Sequence, residues 1–221
     1  MAQLPLDIAL PPRLGRDDFL RADANAEALD ALERWPAWPH PVAVLLGPPG
    51  SGKSHLAAIW AERAGAARWS PPAFAEAGWP SRLGSALLVE DLDRARPPDA
   101  ALFHLLNLAG ERGVGVLLTA AAAPERWGVT TPDLASRLRA PPRLVLRAPD
   151  DDLLRLVLVK LFADRQIIVE ESVVAYLVLH LARSLGQARA VVDALDREAL
   201  ALGKRVTRPM ASRVLARLDP E

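Results

Sequence analysis

The sequence contains no cysteine, so disulfides, thiolate metal sites and cysteine nucleophiles are all excluded. It carries no net charge either. Its 27 basic residues balance 27 acidic ones, leaving no overall field to draw the chain to nucleic acid or anionic lipid, and any such contact must be local. Lysine is scarce, occurring only at Lys53, Lys160 and Lys204, so nearly all the positive charge is arginine. No apolar run approaches the roughly 20 residues that cross a bilayer. The opening residues Met1-Ala2-Gln3-Leu4-Pro5-Leu6 lack the basic start and apolar stretch of a signal peptide. These absences predict a soluble, cytoplasmic protein without membrane contact. Neither an internal repeat nor a low-complexity linker is evident.

What is present fits a mid-sized core with a small appendage. Residues 3–13 are apolar but interrupted by Pro5, Pro11 and Pro12, which excludes a helix or central strand and predicts an extended tail. Residues 23–34 place Ala24, Ala28, Leu29 and Leu32 on one helical face, with Asp23 or Asn25 as the cap and Pro36 as the stop. Residues 42–46 are wholly apolar and too short for a helix, as in a buried parallel strand, and 86–89 and 114–119 repeat the pattern. A further strand is predicted at 144–147, with helices at 54–64 and 99–112 between the strands. Alternation of this kind predicts an α/β fold with a parallel sheet covered on both faces. After Pro149 the periodicity is helical throughout, over 150–164, 170–182, 186–202 and 207–218. The expected organisation is a tail at 1–12, an α/β nucleotide-binding base at 13–148 and a small all-helical lid at 149–221.

Gly47-Pro48-Pro49-Gly50-Ser51-Gly52-Lys53-Ser54 satisfies G-x-x-x-x-G-K-[ST] and sits between a buried strand and a helix. In such a loop the glycines let backbone N–H groups converge on phosphates, and the helix N-terminus adds partial positive charge. Lys53 neutralises the outer phosphates and the Ser54 hydroxyl ligates Mg²⁺. A nucleoside di- or triphosphate with Mg²⁺ is the predicted ligand. Leu87-Leu88-Val89-Glu90-Asp91-Leu92-Asp93 puts acids directly after a hydrophobic strand, where a carboxylate meets the metal beside the P-loop.

The order of P-loop, acidic strand, Thr119 strand end, Pro132-Asp133-Leu134-Ala135-Ser136-Arg137-Leu138 and helical appendage resembles an AAA+ module. Within that superfamily it resembles the DnaA branch, from Phe19 and Asn25 through Gly47 to His55 and on to Gly186-Gln187-Ala188-Arg189. The chain ends at Glu221, which leaves no room for the initiator's helix-turn-helix domain, and the stretch before Glu90 is short for its single-strand-binding insertion. Direct DNA binding is therefore expected to be weak or absent. Gln3-Leu4-Pro5-Leu6 resembles the Q-L-x-L core of peptides that bind the replication sliding clamp. The combination resembles the Hda family of DnaA-related regulators that inactivate DnaA on the clamp.

The resemblance implies roles for particular residues. Arg137 takes the place of an arginine finger that reaches the ATP of a neighbouring subunit. Arg189 takes the place of the lid arginine that contacts nucleotide, with Arg183 as its rival. Thr119 matches the first sensor, although Ala120 to Ala123 replace the polar residues that often follow. Glu90 stands where a magnesium-ligating Asp is usual, with Asp91 also able to serve, and Asp91 stands where the water-activating acid would be. That shortened acid implies weak or no intrinsic hydrolysis. His55 lies beside the site, where packing is favoured over acid–base work. The implied partners are the clamp, through Gln3, Leu4 and Leu6, and DnaA, whose hydrolysis of ATP the chain would activate; a homo-oligomer is left open. The implied resident nucleotide is ADP or ATP. Two other readings remain at this point: a helicase-loader-type ATPase acting on single-stranded DNA, and a non-catalytic replication adaptor.

Overall fold

A computed structural model describes residues 14–218, so the expected clamp-binding residues Gln3, Leu4 and Leu6 lie outside the described residues. The chain divides into two compact units, one spanning Leu14–Arg147 and the other running from Ala148.

In the first unit the strands are β1 (Val42–Leu46), β2 (Ala67–Trp69), β3 (Ala86–Val89), β4 (Gly115–Ala120) and β5 (Arg143–Val145). They form one sheet in the order β2-β3-β4-β1-β5 with every neighbouring pair parallel. The helices are α1 (Ala26–Glu33), α2 (Lys53–Ala64), α3 (Asp99–Arg112) and α4 (Pro132–Arg139). β1, β3 and β4 are buried at every position, which is why they read as unbroken apolar runs. Alternate residues along each strand serve opposite faces. Val44, Leu87, Val116 and Leu118 pack with Leu102 and Leu105 of α3 and Leu134 and Leu138 of α4. Ala43, Leu45, Leu88 and Leu117 pack with Leu29 of α1 and Leu56 and Trp60 of α2.

Several features differ from the sequence expectation. β2 was not expected, because three partly exposed residues carry no periodic signal; its register is set by β3, with Ala67 opposite Leu87 and Trp69 opposite Val89. The last strand lies at 143–145 rather than 144–147. Its edge position leaves Arg143 and Val145 exposed, while Leu146 just beyond it donates its N–H to Leu46 O at 2.7 Å. Asn25 does precede α1, but its side chain does not cap that helix. Its Oδ1 accepts from Ala22 N–H at 2.9 Å and its Nδ2 donates to Leu20 O at 2.9 Å, stitching the preceding turn instead.

The second unit holds α5 (Asp151–Asp164), α6 (Glu171–His180), α7 (Leu185–Leu202) and α8 (Arg208–Leu218). Asp150 caps α5 by accepting from Leu153 N–H at 2.8 Å, and Ser184 caps α7 by accepting from Gln187 N–H at 3.3 Å. One apolar face of each helix closes a core of Leu154, Leu158, Leu177, Val192, Leu195 and Met210, among others. Among the described residues no helix is long and apolar enough to cross a membrane.

Candidate functional site

The strand order reverses at β1. The connection from β1 leads out towards β2, whereas β4 and β5 flank β1 directly, so the C-terminal end of β1 opens at the switch point where doubly wound sheets bind ligands. The P-loop begins there, at Gly47.

The loop's conformation explains its residues. Gly50 (φ 74°) and Gly52 (φ 95°) lie in the left-handed region, which a side chain would strain. Gly47 is required for a different reason: a Cβ there would stand 2.8 Å from Leu146 O and 2.7 Å from Ser51 Oγ. Pro48 O accepts from Ser51 N–H at 3.2 Å, and Pro48 and Pro49 lead into the turn. Ser51 is buried, and among the described residues its hydroxyl has no hydrogen-bond partner. An orphaned buried hydroxyl is costly unless a ligand oxygen satisfies it. Lys53 opens α2 with only 8% of its surface exposed and donates to Gly47 O at 2.6 Å and Pro48 O at 3.1 Å. Burial pushes the Lys53 ammonium down from its ordinary value, while the nearby carboxylates of Asp91 and Asp93 act in the opposite direction. A desolvated cation, an unsatisfied hydroxyl and a backbone turn too tight for a side chain fit the phosphates of a nucleotide. Ser54, exposed in the first turn of α2, stands where a metal-bound phosphate would be met.

His55 is turned to structural use. Its Nε2 lies 3.0 Å from Gly15 O, and its ring meets the buried Phe19 edge-on at 5.2 Å. Phe19 packs in the core under α2.

The acids and Thr119 are brought together. Thr119 is buried at the end of β4; its Oγ1 accepts from Asp91 N–H at 3.0 Å and its carbonyl accepts from Leu92 N–H at 2.9 Å. This double tie bends the chain after β3, and Asp91 takes a left-handed φ of 54° to make the bend. Glu90 is half-buried at the strand end and Asp91 is exposed. Asp93 was not singled out in the sequence. Its carboxylate accepts from Ala121 N–H at 3.0 Å and Ala122 N–H at 3.2 Å, holding the backbone of the alanine run after Thr119. Among the described residues no group of three or more His, Cys, Asp or Glu forms a metal cage. A Mg²⁺ held by one or two protein oxygens together with phosphates and waters is a different kind of site and needs no such cage.

Arg137 stands exposed on α4. Its guanidinium lies 4.8 Å above the Phe103 ring, and it has no ion pair among the described residues. In the second unit, Arg183 pairs with Asp151 at 3.2 Å, whereas Arg189, half-buried on α7, makes no ion pair among the described residues.

Residues 151–215 match the family model described as Hda, lid domain. No curated protein sequence matches the chain significantly. Among known structures, domain III of the replication initiation protein DnaA from Thermotoga maritima superposes with a TM-score of 0.81 at 16% identity, covering 96% of this chain and 99% of that one. AMPPCP-bound DnaA from Aquifex aeolicus gives a TM-score of 0.73 at 16% identity, covering 87% of this chain and 68% of that one. The Holliday junction branch migration motor RuvB of Thermotoga maritima gives 0.66 at 16% identity, covering 88% and 67%. At these identities the likeness to the structures is one of fold. Residues 151–215 thus match the lid domain of Hda, and the chain shares the fold of DnaA domain III.

Proposed function

We propose that this chain is a nucleotide-bound negative regulator of replication initiation that docks on the DNA sliding clamp and promotes hydrolysis of ATP held by DnaA. The observation that carries this reading is Arg137. A guanidinium that is exposed, unpaired among the described residues and laid over an aromatic face is available to a partner's anion without first breaking a salt bridge. Supplied in trans to a transferring γ-phosphoryl group, such an arginine stabilises developing negative charge, an effect worth about 10³ to 10⁵ in rate in GTPase systems. The fold of DnaA and the lid of Hda support the choice of DnaA as the partner.

In this reading the chain's own nucleotide, ADP or ATP with Mg²⁺, organises the base. Lys53 and the P-loop N–H groups hold the phosphates, Ser54 and Glu90 or Asp91 hold the metal, and Arg189 contacts the nucleotide from the lid. Asp91 is tethered through its own backbone to Thr119 and carries a short side chain, which supports weak or no intrinsic turnover. The tether to the clamp is Gln3, Leu4 and Leu6. The protein acts in the cytoplasm, with direct DNA contact weak or absent.

A pull-down with purified clamp and purified DnaA, run in ATP and in ADP, tests tether, partner and switch together. The expected result is capture of the clamp by the parent chain and loss of capture on Gln3→Ala with Leu6→Ala. Clamp binding that survives the double substitution removes the tether from the proposal.

A further inference from the structure

The loop ahead of α4 is held by two residues that the nucleotide site does not use. Arg96, in the connection after β3, donates from Nε to Trp127 O at 2.8 Å and from Nη2 to Gly128 O at 2.9 Å, and its Nη1 pairs with Asp99 Oδ1. Asp99 is the first residue of α3. Its other oxygen, Oδ2, accepts three hydrogen bonds: from Thr130 N–H at 3.1 Å, from Thr130 Oγ1 at 3.1 Å and from Thr131 Oγ1 at 3.2 Å. Thr131 is the residue on which α4 begins, and its own side chain makes no capping bond to that helix. The Asp99 carboxylate therefore serves the starts of two helices, where negative charge is favoured by both dipoles.

The same helix supplies a second fixed point. Asp99 and Phe103 lie one turn apart on α3, the first anchoring the chain entering α4 and the second lying under the Arg137 guanidinium. Leu134 and Leu138 bury the inner face of α4 against the core, which sets its depth but leaves rotation and sliding of the helix to polar contacts at its start. Those contacts come from Arg96 and Asp99. Charge-assisted bonds of this kind are stronger than neutral ones, and each of the donors and acceptors named here has a definite direction.

We propose that Arg96 and Asp99 are positioning residues for Arg137, locking the first turn of α4 to α3 so that the guanidinium is presented at a fixed place and angle. The proposal rests on the reading of Arg137 as a finger acting in trans. Phosphoryl transfer is governed by positioning, and a displacement of about 1 Å can cost about 100-fold in rate. Releasing one of the two residues leaves the finger's chemistry intact and broadens the range of positions it samples. The step lost is then alignment at the partner's phosphate and not encounter with the partner.

The test is stimulated hydrolysis of DnaA-bound ATP by the full-length chain on DNA-loaded clamp, measured as a function of its concentration. Asp99→Asn and Arg96→Ala should each lower the maximal rate about tenfold while the half-saturating concentration stays within about twofold. The double variant Arg96→Ala with Asp99→Asn should be no worse than the worse single, because both act through one junction. Thr130→Val with Thr131→Val removes only two hydroxyls and keeps the Arg96–Asp99 pair. It should lower the maximal rate about threefold with unchanged nucleotide binding, and it serves if the charged variants fail to fold. Arg137→Ala is run in parallel. If it leaves stimulation intact, the finger reading fails; if it removes stimulation while the folded junction variants keep the parental maximal rate, the finger stands and the positioning role is overturned. A shift confined to half-saturation or to melting temperature likewise overturns it, since a merely structural contact would produce that pattern.

Discussion

Substituting Gly47 by alanine separates two ways in which a glycine can be required. The added Cβ would stand 2.7 Å from Ser51 Oγ, 2.8 Å from Leu146 O and 2.9 Å from Leu146 Cβ. Ordinary contacts at a Cβ begin near 3.4 Å, so each neighbour would have to retreat by about half an ångström or more. Ser51 can rotate its hydroxyl away, but Leu146 cannot yield easily, because its N–H is bonded to Leu46 O at 2.7 Å and the next residue is bonded to Ala24 O at 2.9 Å. The phosphate loop must move instead. Overpacking of this size costs about 1 to 3 kcal/mol. Charged wholly to the nucleotide-competent loop, that is a loss of about 5- to 150-fold in nucleotide affinity. The control is Gly65→Ala at the end of α2, where φ is +58° and an added Cβ meets nothing within 4 Å. Its left-handed strain costs about 1 to 2 kcal/mol and falls on global stability alone. Titration with a fluorescent ADP analogue, alongside thermal unfolding, reads both effects. If Gly47→Ala binds nucleotide as tightly as the parent, or if Gly65→Ala weakens binding equally, the steric account of the loop is wrong.

Other expectations follow from the acids and from the lid core. Burial opposes the charge on Asp99, but hydrogen bonds from Arg96 and from the Thr130 N–H and hydroxyl outweigh it and hold the carboxyl at about 2. The folded value lies below the unfolded one, so the stabilisation is fully present above about pH 4 and disappears as the pH falls through 2. Urea midpoints of the parent and of Asp99→Asn, measured from pH 6 down to pH 3, should converge towards the acid end; a constant difference refutes the linkage. In the lid, Leu195 is fully buried on α7, and Leu195→Ala should cost about 2 to 5 kcal/mol in chemical denaturation. Ser184→Ala removes the cap of the helix that carries Arg189 and should cost about 1 kcal/mol by the same measure.

The elements legible in the sequence are those whose signal is local. β1, β3 and β4 are buried on both sides and so appear as short apolar runs, and the P-loop between β1 and α2 carries its own glycine and lysine pattern. The four lid helices each bury a single face, which 3.6-residue periodicity reveals. β2 and β5 were missed or displaced because edge strands of three residues take their register from a neighbour. The segment between β2 and β3 is rich in proline and glycine, a composition that suggests a reduced insertion. It forms two short 3-10 turns that bury Phe74 and Trp79 beside Trp69, a cluster no linear pattern announces. Among candidate site residues, Gly47, Lys53, Thr119 and Arg137 can be proposed from motif and order. Asp93 and the Arg96–Asp99 junction cannot, because their partners at 121–122 and 127–131 lie about thirty residues away and are mostly backbone atoms.

The central claim is that Arg137 acts on ATP bound by another protein. It is tested most directly by single-turnover hydrolysis of labelled ATP preloaded on DnaA, with the chain supplied on DNA-loaded clamp. The account predicts acceleration by the parent chain and its loss with Arg137→Ala, while nucleotide binding and clamp capture by the variant stay at parental levels. Acceleration that persists with Arg137→Ala would contradict it.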